Sequence, residues 1–382
     1  MLKPGDLLFA RSGSVGRTFL YDHSWGPCAY AGYLIRARVD QTQVLPKHVS
    51  YYSGSASYAG WLQTVAIQAT IKNVSASRYA RMPVPLPPID EQHAISEFLD
   101  HETGKIDAVI EKNRQLIERL EEYRTALITR TVTRGLPPHA AREAGLNHSP
   151  RYRDSGIEWL GEIPAEWEVK RLSHIASYRT SSVDKKSVDG ELRVRLCNYT
   201  DVYYQDRVRA TDGEFMNATA TKREVEGFRL RRGDVVITKD SEDWRDIGVS
   251  ALIEESAEDF VCGYHLGIIR PRGLMNPGFL FRLMQSVAVN RQLQVSASGV
   301  TRYGLPRAAI CEAQVPLPPA DEQWAIAAFL DRETERVNVL CSRVETAVER
   351  LLDYRTALVT AAVTGKIDVR EVAATGIGGD GA

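Results

Sequence analysis

The sequence predicts an α+β protein in which two related globular domains, the first of them incomplete, are separated by an antiparallel two-helix coiled coil. Two observations predict this class: one sequence segment occurs twice, and each copy closes with a long heptad pattern. The composition agrees, because 43% hydrophobic and 25% charged residues are typical of globular proteins, and 382 residues suffice for two domains or more.

The internal repeat is the strongest feature of the sequence. VPLPPIDEQHAISEFLDHET begins at Val84, and VPLPPADEQWAIAAFLDRET begins at Val315. EYRTALITRTVT around Tyr123 recurs as DYRTALVTAAVT around Tyr354, at the same offset of 231 residues. The chain therefore contains two copies of one unit. We expect a partial first domain at 1–88, a long helix at 89–134, a linker at 135–151, a complete second domain at 152–319, a second long helix at 320–366 and a flexible tail at 367–382.

The two copies are unequal. Upstream of the helices, PGDLLFARSG at Pro4 resembles RGDVVITKDS at Arg232, and PCAYAGYLIRAR at Pro27 resembles VCGYHLGIIRPR at Val261. Residues 152–232 of the second copy have no counterpart before Gly5 in the first. Missing strands leave a sheet edge or a core face uncovered, which costs stability. We favour a gene fragment or a misplaced start codon; the alternative is a naturally short domain that a partner completes.

Each copy ends in a predicted helix with a heptad seam. Paired prolines stop the preceding strand, and Asp90 and Asp321 suit the N-termini of the helices. Roughly forty residues make a rod of about 60 Å, and the linker is too short to retrace it, which favours an antiparallel pair. The alternative is two amphipathic helices in an ordinary bundle. The seam, with its subunit interface, is predicted to contain Ile95, Leu99, Ile106, Val109, Leu116, Leu120, Tyr123, Leu127, Ile326, Leu330, Val337, Leu340, Val344, Leu351, Tyr354 and Leu358.

The second domain has a mixed pattern of short strands and a helix. Predicted strands lie in EWEVKRL, ELRVRLCNYT, GDVVIT, VSALIEE and FVCGYHLGIIRPR. Apolar residues at helical spacing predict one helix around Pro277 to Gln294. This mixture indicates an α+β domain.

Several classes of protein are disfavoured. The sequence has no apolar run of membrane-spanning length and no secretory signal, so we expect a cytoplasmic protein. Its five cysteines form no C-x-x-C pair, which argues against zinc and disulfides and indicates reduced thiols. Gly376, Gly378 and Gly381 spell GxGxxG without a strand or helix around them, so we interpret them as tail residues. No catalytic or metal site is predicted.

The chain resembles the specificity subunits of type I restriction-modification enzymes. The resemblance rests on YRDSGIEWLGEIPAEWEVKRL, on the repeated VPLPP-x-DEQ-x-AI-x-x-FLD, and on YRTALITRTVTRGL and YRTALVTAAVTGKIDV. It implies two target-recognition domains, each of which reads half of a split DNA target, held apart by antiparallel helices. The length of the helices would then set the number of unread base pairs between the half-targets. The shortened first domain departs from the family pattern.

The resemblance also implies the partners. Double-stranded DNA, two methyltransferase subunits and restriction subunits are expected to bind this chain, with S-adenosylmethionine, ATP and magnesium on those subunits. We therefore predict a non-catalytic subunit that recognises a DNA sequence and directs adenine methylation and restriction. The alternative is a degenerate assembly scaffold that binds methyltransferase subunits without full DNA specificity.

Three motifs of the second domain supply candidate DNA-binding residues. KDSEDW, CGYHL and GVTRYGL place cationic, polar and aromatic side chains beside apolar segments. Arginine can bind guanine edges or phosphate, lysine can bind phosphate, and rings can pack on sugar or base. The alternatives are core positions for the tyrosine and histidine of CGYHL and a surface ion pair for the arginine. The candidates are Lys239, Ser241, Tyr264, His265, Thr301, Arg302 and Tyr303.

A second basic segment is interpreted differently. Arg229, Arg231 and Arg232, with Lys222 and Arg223 upstream, form the densest basic run of the chain. Acidic residues lie among them, so the run is interpreted as a solvated face. The net charge of −1 shows that any DNA-binding surface must come from local clustering.

Overall fold

A computed structural model describes residues 1–66, 73–146 and 151–369. The chain forms two compact units: unit 1 contains 1–118 and 341–382, and unit 2 contains 119–340. The elements before and including the first long helix are β1 Leu7–Ala10, β2 Thr18–Leu20, β3 Leu34–Ala37, α1 Pro46–Tyr52, α2 Ala56–Val65, α3 Ala76–Tyr79 and α4 Ile89–Arg134.

The remaining elements end with the second long helix. In chain order they are α5 Pro138–Glu143, β4 Tyr152–Asp154, β5 Glu162–Pro164, β6 Glu168–Arg171, α6 Leu172–Ile175, β7 Ala176–Thr180, β8 Leu192–Cys197, α7 Tyr199–Tyr203, β9 Arg207–Arg209, β10 Met216–Ala220, α8 Lys222–Phe228, β11 Val235–Thr238, β12 Asp240–Ser241, β13 Ser250–Glu255, β14 Phe260–Cys262, β15 Leu266–Pro271, α9 Pro277–Gln285, α10 Val287–Ser296, β16 Tyr303–Gly304, α11 Arg307–Glu312, β17 Gln314–Leu317 and α12 Ala320–Val363.

Unit 2 is built around a sheet with strand order β7-β15-β11-β13-β9. Alternate residues of a strand point to opposite faces, so Val235 and Ile237 pack with α9 and α10, while Val236 packs with Phe260 on the other face. Residues of a second sheet, β10-β8-β14, pack on that other face through Cys197, Phe260 and Cys262. The central strands are therefore buried on both sides, and the predicted α+β class is confirmed.

Unit 1 has a smaller sheet with strand order β2-β1-β3. Leu7 and Phe9 pack against α1, α2 and the two long helices in one core. The other face carries a small cluster around Leu2, Leu8 and Tyr21. Within unit 1, Asp107 of α4 accepts a 2.8 Å hydrogen bond from Arg355 of α12, and the residues early in α4 pack against those late in α12. The two helix segments of this unit are therefore antiparallel.

An ion pair that occurs in both units shows which residues of the two copies are equivalent. Asp6, directly before β1, accepts a hydrogen bond from Arg38, with Nη2 3.0 Å from Oδ2. Asp234, directly before β11, accepts the same bond from Arg270, with Nη2 2.7 Å from Oδ2. Both aspartates are 1% exposed. In the structure, Arg38 thus corresponds to Arg270. The sequence match, which aligns Pro27 with Val261, had paired Arg38 with Arg272. The sequence match was wrong by two residues here, because the buried carboxylate determines which arginine is equivalent.

The DEQ motif owes its glutamine to a buried hydrogen-bonding position. Gln92 Oε1 accepts from the backbone N–H of Leu45 at 2.8 Å, and its Nε2 donates to the carbonyl of Pro87 at 2.9 Å. Gln323 makes the equivalent bonds to Asn276 and Pro318, both at 2.9 Å. Each glutamine joins the start of a long helix to the chain entering a shorter helix.

The buried stripe of the long helices does not follow a strict heptad. An α-helix has 3.6 residues per turn, so a seam stepped at 3.5 drifts off the buried face. Ile110 and Ile128 are more deeply buried than Val109 and Leu127, the neighbouring residues that were predicted to lie in the seam. Of the predicted positions, Ile95, Leu99, Ile106, Ile326, Leu330 and Val337 are buried, Leu120, Leu127, Val344, Leu351 and Leu358 are half-buried, and Val109, Leu116, Tyr123, Leu340 and Tyr354 are exposed.

Three further expectations differ from the structure. The helix predicted around Pro277 to Gln294 is two helices, because Ser286 adopts an extended conformation and its hydroxyl accepts from Val289 N at 3.4 Å. The linker contains α5, whose alanines are buried. Of the predicted tail, Val369 is 3% exposed in the unit 1 core, and residues 370–382, including the GxGxxG glycines, lie outside the described ranges.

Cys197 and Cys262 are buried. Burial raises the pKa of the Cys197 and Cys262 thiols. In the described ranges, no helix combines the length and the apolar character needed to cross a membrane.

Candidate nucleic-acid interface

The candidate residues lie where the central strands of unit 2 end. β11 ends at Thr238 and β15 begins at Leu266, so the residues after one and before the other are neighbours. Lys239 N donates to the carbonyl of His265 at 3.1 Å, and Leu305 N donates to the carbonyl of Lys239 at 2.8 Å. β12 pairs with β16, with Ser241 opposite Tyr303. All three predicted motifs therefore meet at one end of the sheet.

Asp240 organises the charged groups of this surface. Its carboxylate accepts from Arg302 Nη2 at 2.6 Å and lies 2.9 Å from His265 Nδ1. An Nδ1–H proton facing the carboxylate satisfies both atoms, which leaves Nε2 of the ring for another partner. Lys239 Nζ lies 3.9 Å from the same carboxylate. The half-buried Asp240 thus interacts with Arg302, His265 and Lys239.

The loop that carries Arg302 depends on a glycine. Gly299 has φ of +150°, and a Cβ at this position would lie 2.0 Å from the carbonyl oxygen of Arg302. Ser298 and Gly304 close the loop with backbone hydrogen bonds of 3.2 and 2.9 Å. Thr301 is exposed, and the Arg302 side chain is 53% exposed. A tight loop therefore presents Arg302 with its remaining N–H donors facing solvent.

The other candidates have different degrees of access. The rings of Tyr264 and His265 lie with centroids 3.7 Å apart, and both residues are half-buried. Ser241 is 5% exposed, and its hydroxyl accepts from Asp243 N at 3.3 Å, so it holds the loop. The alternative of an ion pair for Arg302 is realised with Asp240, and the same pair fixes the direction in which Arg302 points.

An aromatic group that was not predicted from the sequence lies beside these residues. Tyr199 and Tyr203 stack with centroids 5.4 Å apart and planes 18° apart, and Tyr204 packs edge-on against Tyr203 at 5.0 Å. Tyr204 and Trp244 are 76% and 45% exposed. The available signal was NYTDVYY, in which three tyrosines occur within six residues, two of them four apart.

This aromatic group interacts with two acidic residues, Asp246 and Asp240. Tyr203 Oη donates to Asp246 at 2.5 Å, and this bond raises the pKa of Tyr203 to about 12. Burial raises the pKa of Tyr199, on which Asp240 and Arg302 also act through their charges. We define the recognition surface as Tyr199, Tyr203, Tyr204, Lys239, Asp240, Trp244, Tyr264, His265, Thr301, Arg302 and Tyr303.

The arrangement suits contact with a nucleic acid. Exposed rings can pack on sugar or bases, and a preoriented guanidinium can bind a base edge or phosphate. The described ranges contain no cluster of three or more histidine, cysteine or acidic side chains that could hold a metal ion. The separate basic run includes Lys222 and Arg223, which are exposed on α8.

Comparison with known proteins identifies relatives in sequence. At 21% identity over 307 residues, the chain resembles the MjaVIII specificity subunit of a type I restriction enzyme from Methanocaldococcus jannaschii, covering 79% of this chain and 66% of that protein. At 25% identity over 222 residues it resembles the EcoKI specificity subunit of Escherichia coli, covering 54% and 44%. The chain thus matches less than two thirds of the length of these relatives.

A solved structure shares the fold. A chain from work on assembly and conformational transition of the type I R-M system superposes with a TM-score of 0.62 at 16% identity, over 95% of this chain and 82% of that one. The model of the family described as type I restriction modification DNA specificity domain matches residues 2–122 and 164–346. Because these two matched segments contain the VPLPP-x-DEQ motif of both copies and most of the chain, this protein belongs to the type I restriction-modification DNA specificity family.

Proposed function

We propose that this chain is the DNA-sequence recognition subunit of a type I restriction-modification complex. The observation that carries the proposal is the match of the family model to both copies of the repeat. The relatives are specificity subunits of type I restriction enzymes. In this proposal the chain itself catalyses nothing, and S-adenosylmethionine, ATP and magnesium are bound by partner subunits.

The recognition surface of unit 2 supports direct reading of one half-target. Asp240 occupies one Nη of Arg302 at 2.6 Å, so the guanidinium has fewer orientations while the rest of its donors stay accessible. A bidentate arginine is the commonest specific contact to guanine, and it contributes about 1–3 kcal/mol of discrimination. Tyr204, which packs on Tyr203, and Trp244, three residues after Ser241, supply exposed rings. We propose that Arg302 reads a base and that these rings pack on the backbone sugar.

The exposed apolar residues of the long helices support the proposed docking of two methyltransferase subunits. Unit 1 exposes Val109, Leu116, Leu352 and Tyr354, and unit 2 exposes Tyr123, Val339 and Leu340. Exposed apolar rows on long helices are typical of protein–protein contacts. In unit 1, a groove of about 700 Å³ lies between the helix segments beside Val109 and Leu351.

The experiment combines the purified chain with its cognate methyltransferase subunits. Adenine methylation of host DNA, sequenced with and without this gene, identifies the target, and binding to target and scrambled duplexes is then measured. Arg302→Ala is expected to relax selectivity at one position by about 1–3 kcal/mol, whereas Arg223→Ala on α8 is expected to leave it unchanged. Asp240→Asn tests the positioning of Arg302 and is expected to act in the same direction.

Two outcomes reject the proposal. If the assembled complex neither selects nor methylates a target, the chain does not read DNA. If the methyltransferase co-purifies but selectivity is absent, the chain is an assembly scaffold.

A further inference from the structure

The loop that carries Arg302 exposes an apolar side chain at its tip. Ser298 and Gly304 pair through two backbone hydrogen bonds of 3.2 and 2.9 Å, so residues 299–303 form a closed loop. Val300 lies at the tip and is 91% exposed, which is the largest exposed fraction of any large apolar side chain in the described ranges. Exposed apolar surface is unfavourable in water, and it gains free energy when a partner covers it.

The loop also holds Val300 in a fixed relation to Arg302. Gly299 lies so close to Arg302 that a Cβ would be 2.0 Å from its carbonyl oxygen and 3.0 Å from the Cα of Tyr303. Asp240 holds the Arg302 guanidinium at 2.6 Å. Valine is branched at Cβ, which restricts its χ1 angle. The two side chains are therefore presented together, and they lose little conformational entropy when they bind.

The surroundings of the loop favour DNA as its partner. The carbonyl of Lys239 accepts from the backbone just after the loop at 2.8 Å. Arg245, whose side chain is 71% exposed, is joined to the helix before the loop, because Gln294 Nε2 donates to its carbonyl at 2.8 Å. Each cation has an acidic neighbour, Asp240 or Asp243, and each has further donors for a phosphate. Cationic residues thus lie beside both ends of the loop.

A DNA duplex offers a particular apolar group to such a side chain. In the major groove the base edges present hydrogen-bond donors and acceptors, and only thymine adds a methyl group, at C5. The side chain of Val300 has no donor or acceptor, so it would desolvate the polar edges without compensation. The thymine methyl group is therefore the base-specific contact that suits this residue.

The spacing of the two side chains fits adjacent base pairs. Residues two apart in sequence are at most about 7 Å apart along the chain. Successive base pairs lie about 3.4 Å apart along the helix axis. The Cα atoms of Val300 and Arg302 therefore span no more than about two base-pair steps.

We infer that Val300 is a specificity-determining residue that contacts the C5-methyl group of a thymine in the major groove. The inference rests on the proposed function, in which Arg302 reads a base of the same half-target. With Arg302 on a guanine, that half-target contains a T·A pair within about two positions of a G·C pair. The rigid loop then reads the two neighbouring base pairs together.

The test is a double-mutant cycle between one side chain and one methyl group. The chain is assembled with its cognate methyltransferase subunits, and the half-target is the one whose selectivity changes with Arg302→Ala. Each thymine of this half is replaced in turn by uracil, which removes only the methyl group, and binding to the duplexes is measured. At one thymine we expect uracil to weaken binding about fourfold, as for the loss of one buried methyl group. With Val300→Ala the same replacement is expected to weaken binding less than about twofold.

A matched variant controls for the loss of an exposed apolar side chain. Leu274 is 82% exposed and follows β15 at the end of the sheet opposite the recognition surface. Leu274→Ala is expected to leave the preference for thymine over uracil unchanged. Because Val300 is almost fully exposed, Val300→Ala is expected to preserve the free energy of unfolding, which urea denaturation checks.

Three results overturn the inference. The first is that no thymine shows the uracil effect, and the second is that the effect is as large in Val300→Ala as in the unsubstituted chain. In both cases, selective methylation by the assembled complex would leave the proposed function intact. The third is a complex without any target selectivity, which overturns the proposed function and the inference together.

Discussion

At the scale of single residues, the repeated motifs are explained by buried polar groups that have one correct partner. Gln92 and Gln323 are 0% and 3% exposed, and each satisfies a backbone N–H and a carbonyl that the fold removes from water. A buried donor without a partner costs more than the hydrogen bond contributes. The glutamine of the DEQ motif therefore stabilises the fold of both units.

Replacing either glutamine should destabilise the protein. Gln323→Ala leaves the N–H of Asn276 buried without its partner, and we expect a loss of about 1–3 kcal/mol in the free energy of unfolding. Gln92→Ala should cost a similar amount in unit 1. Urea denaturation measures both, with Gln115→Ala on the exposed face of α4 as the control expected to change little. Losses no larger than that of the control would contradict the prediction.

A second prediction concerns the pH dependence that Glu322 introduces. Burial raises the pKa of Glu322 above its usual 4.5, although Trp167 Nε1 donates to it at 2.9 Å. The folded protein therefore holds this proton more tightly than the unfolded chain, and stability is lost as the pH rises above about 4.5 through the folded-state pKa. Glu322→Gln removes this loss while it retains an acceptor for Trp167.

The measurement compares the free energy of unfolding at pH 4 and pH 7. We expect Glu322→Gln to gain stability relative to the unsubstituted protein on going from pH 4 to pH 7. Glu335→Gln, at an exposed position farther along α12, serves as the comparison. A stability difference between Glu322→Gln and the unsubstituted protein that stays constant over this range would refute the assignment.

The recognition surface shows which site residues a sequence can identify. Arg302 and His265 were predicted from short motifs that place cationic and aromatic residues beside apolar strands, and the structure brings the two side chains together. Asp240 was not selected, because its role depends on two partners that are distant in sequence. His265 lies 25 residues away and Arg302 lies 62 residues away. The tyrosines of α7 were also not selected, although NYTDVYY carried a signal, because only the fold places α7 next to Asp240 and Arg302.

At the scale of elements, the long helices illustrate a limit of pattern reading. Their bounds, Ile89–Arg134 and Ala320–Val363, begin directly after the prolines that end the preceding segments. The periodicity of the buried face, however, is set by the geometry of the helix, so the heptad seam assigned exposed positions such as Leu116 to the interior. Those positions are then available to a partner.

The exposed apolar positions lead to a prediction about assembly. Leu116→Lys and Tyr354→Lys place charges on surfaces of unit 1 that we propose bind the methyltransferase, and desolvating a charge at an interface is unfavourable. We expect co-purification of the methyltransferase to fall by about tenfold or more. Glu111→Gln on the same helix is the control. Retained co-purification together with an unchanged circular dichroism spectrum would place the contact elsewhere.

At the scale of the whole molecule, the two units have unequal cores. Unit 2 buries both faces of its sheet of order β7-β15-β11-β13-β9, whereas unit 1 covers one face of β2-β1-β3 with a small cluster and leaves a cavity beside β3 open. Because hydrophobic burial is the main stabilising contribution, unit 1 should open at a lower free energy.

Hydrogen exchange in the intact chain can test this difference with matched strands. Leu7–Ala10 and Val235–Thr238 are equivalent central strands, and both are buried. We expect the amides of Leu7–Ala10 to exchange faster, with peptides analysed by mass spectrometry. Equal or slower exchange in Leu7–Ala10 would contradict the prediction.

The sequence alone determined the duplication, the α+β class, the two long helices and the family, because repeats, proline stops and apolar periodicity are local properties of a chain. Only the tertiary structure decided the register of Arg38 with Arg270, the break at Ser286, the exposure of Leu116 and the role of Asp240. Each of these depends on which groups are buried together, and burial is set by the packing of segments that are distant in sequence.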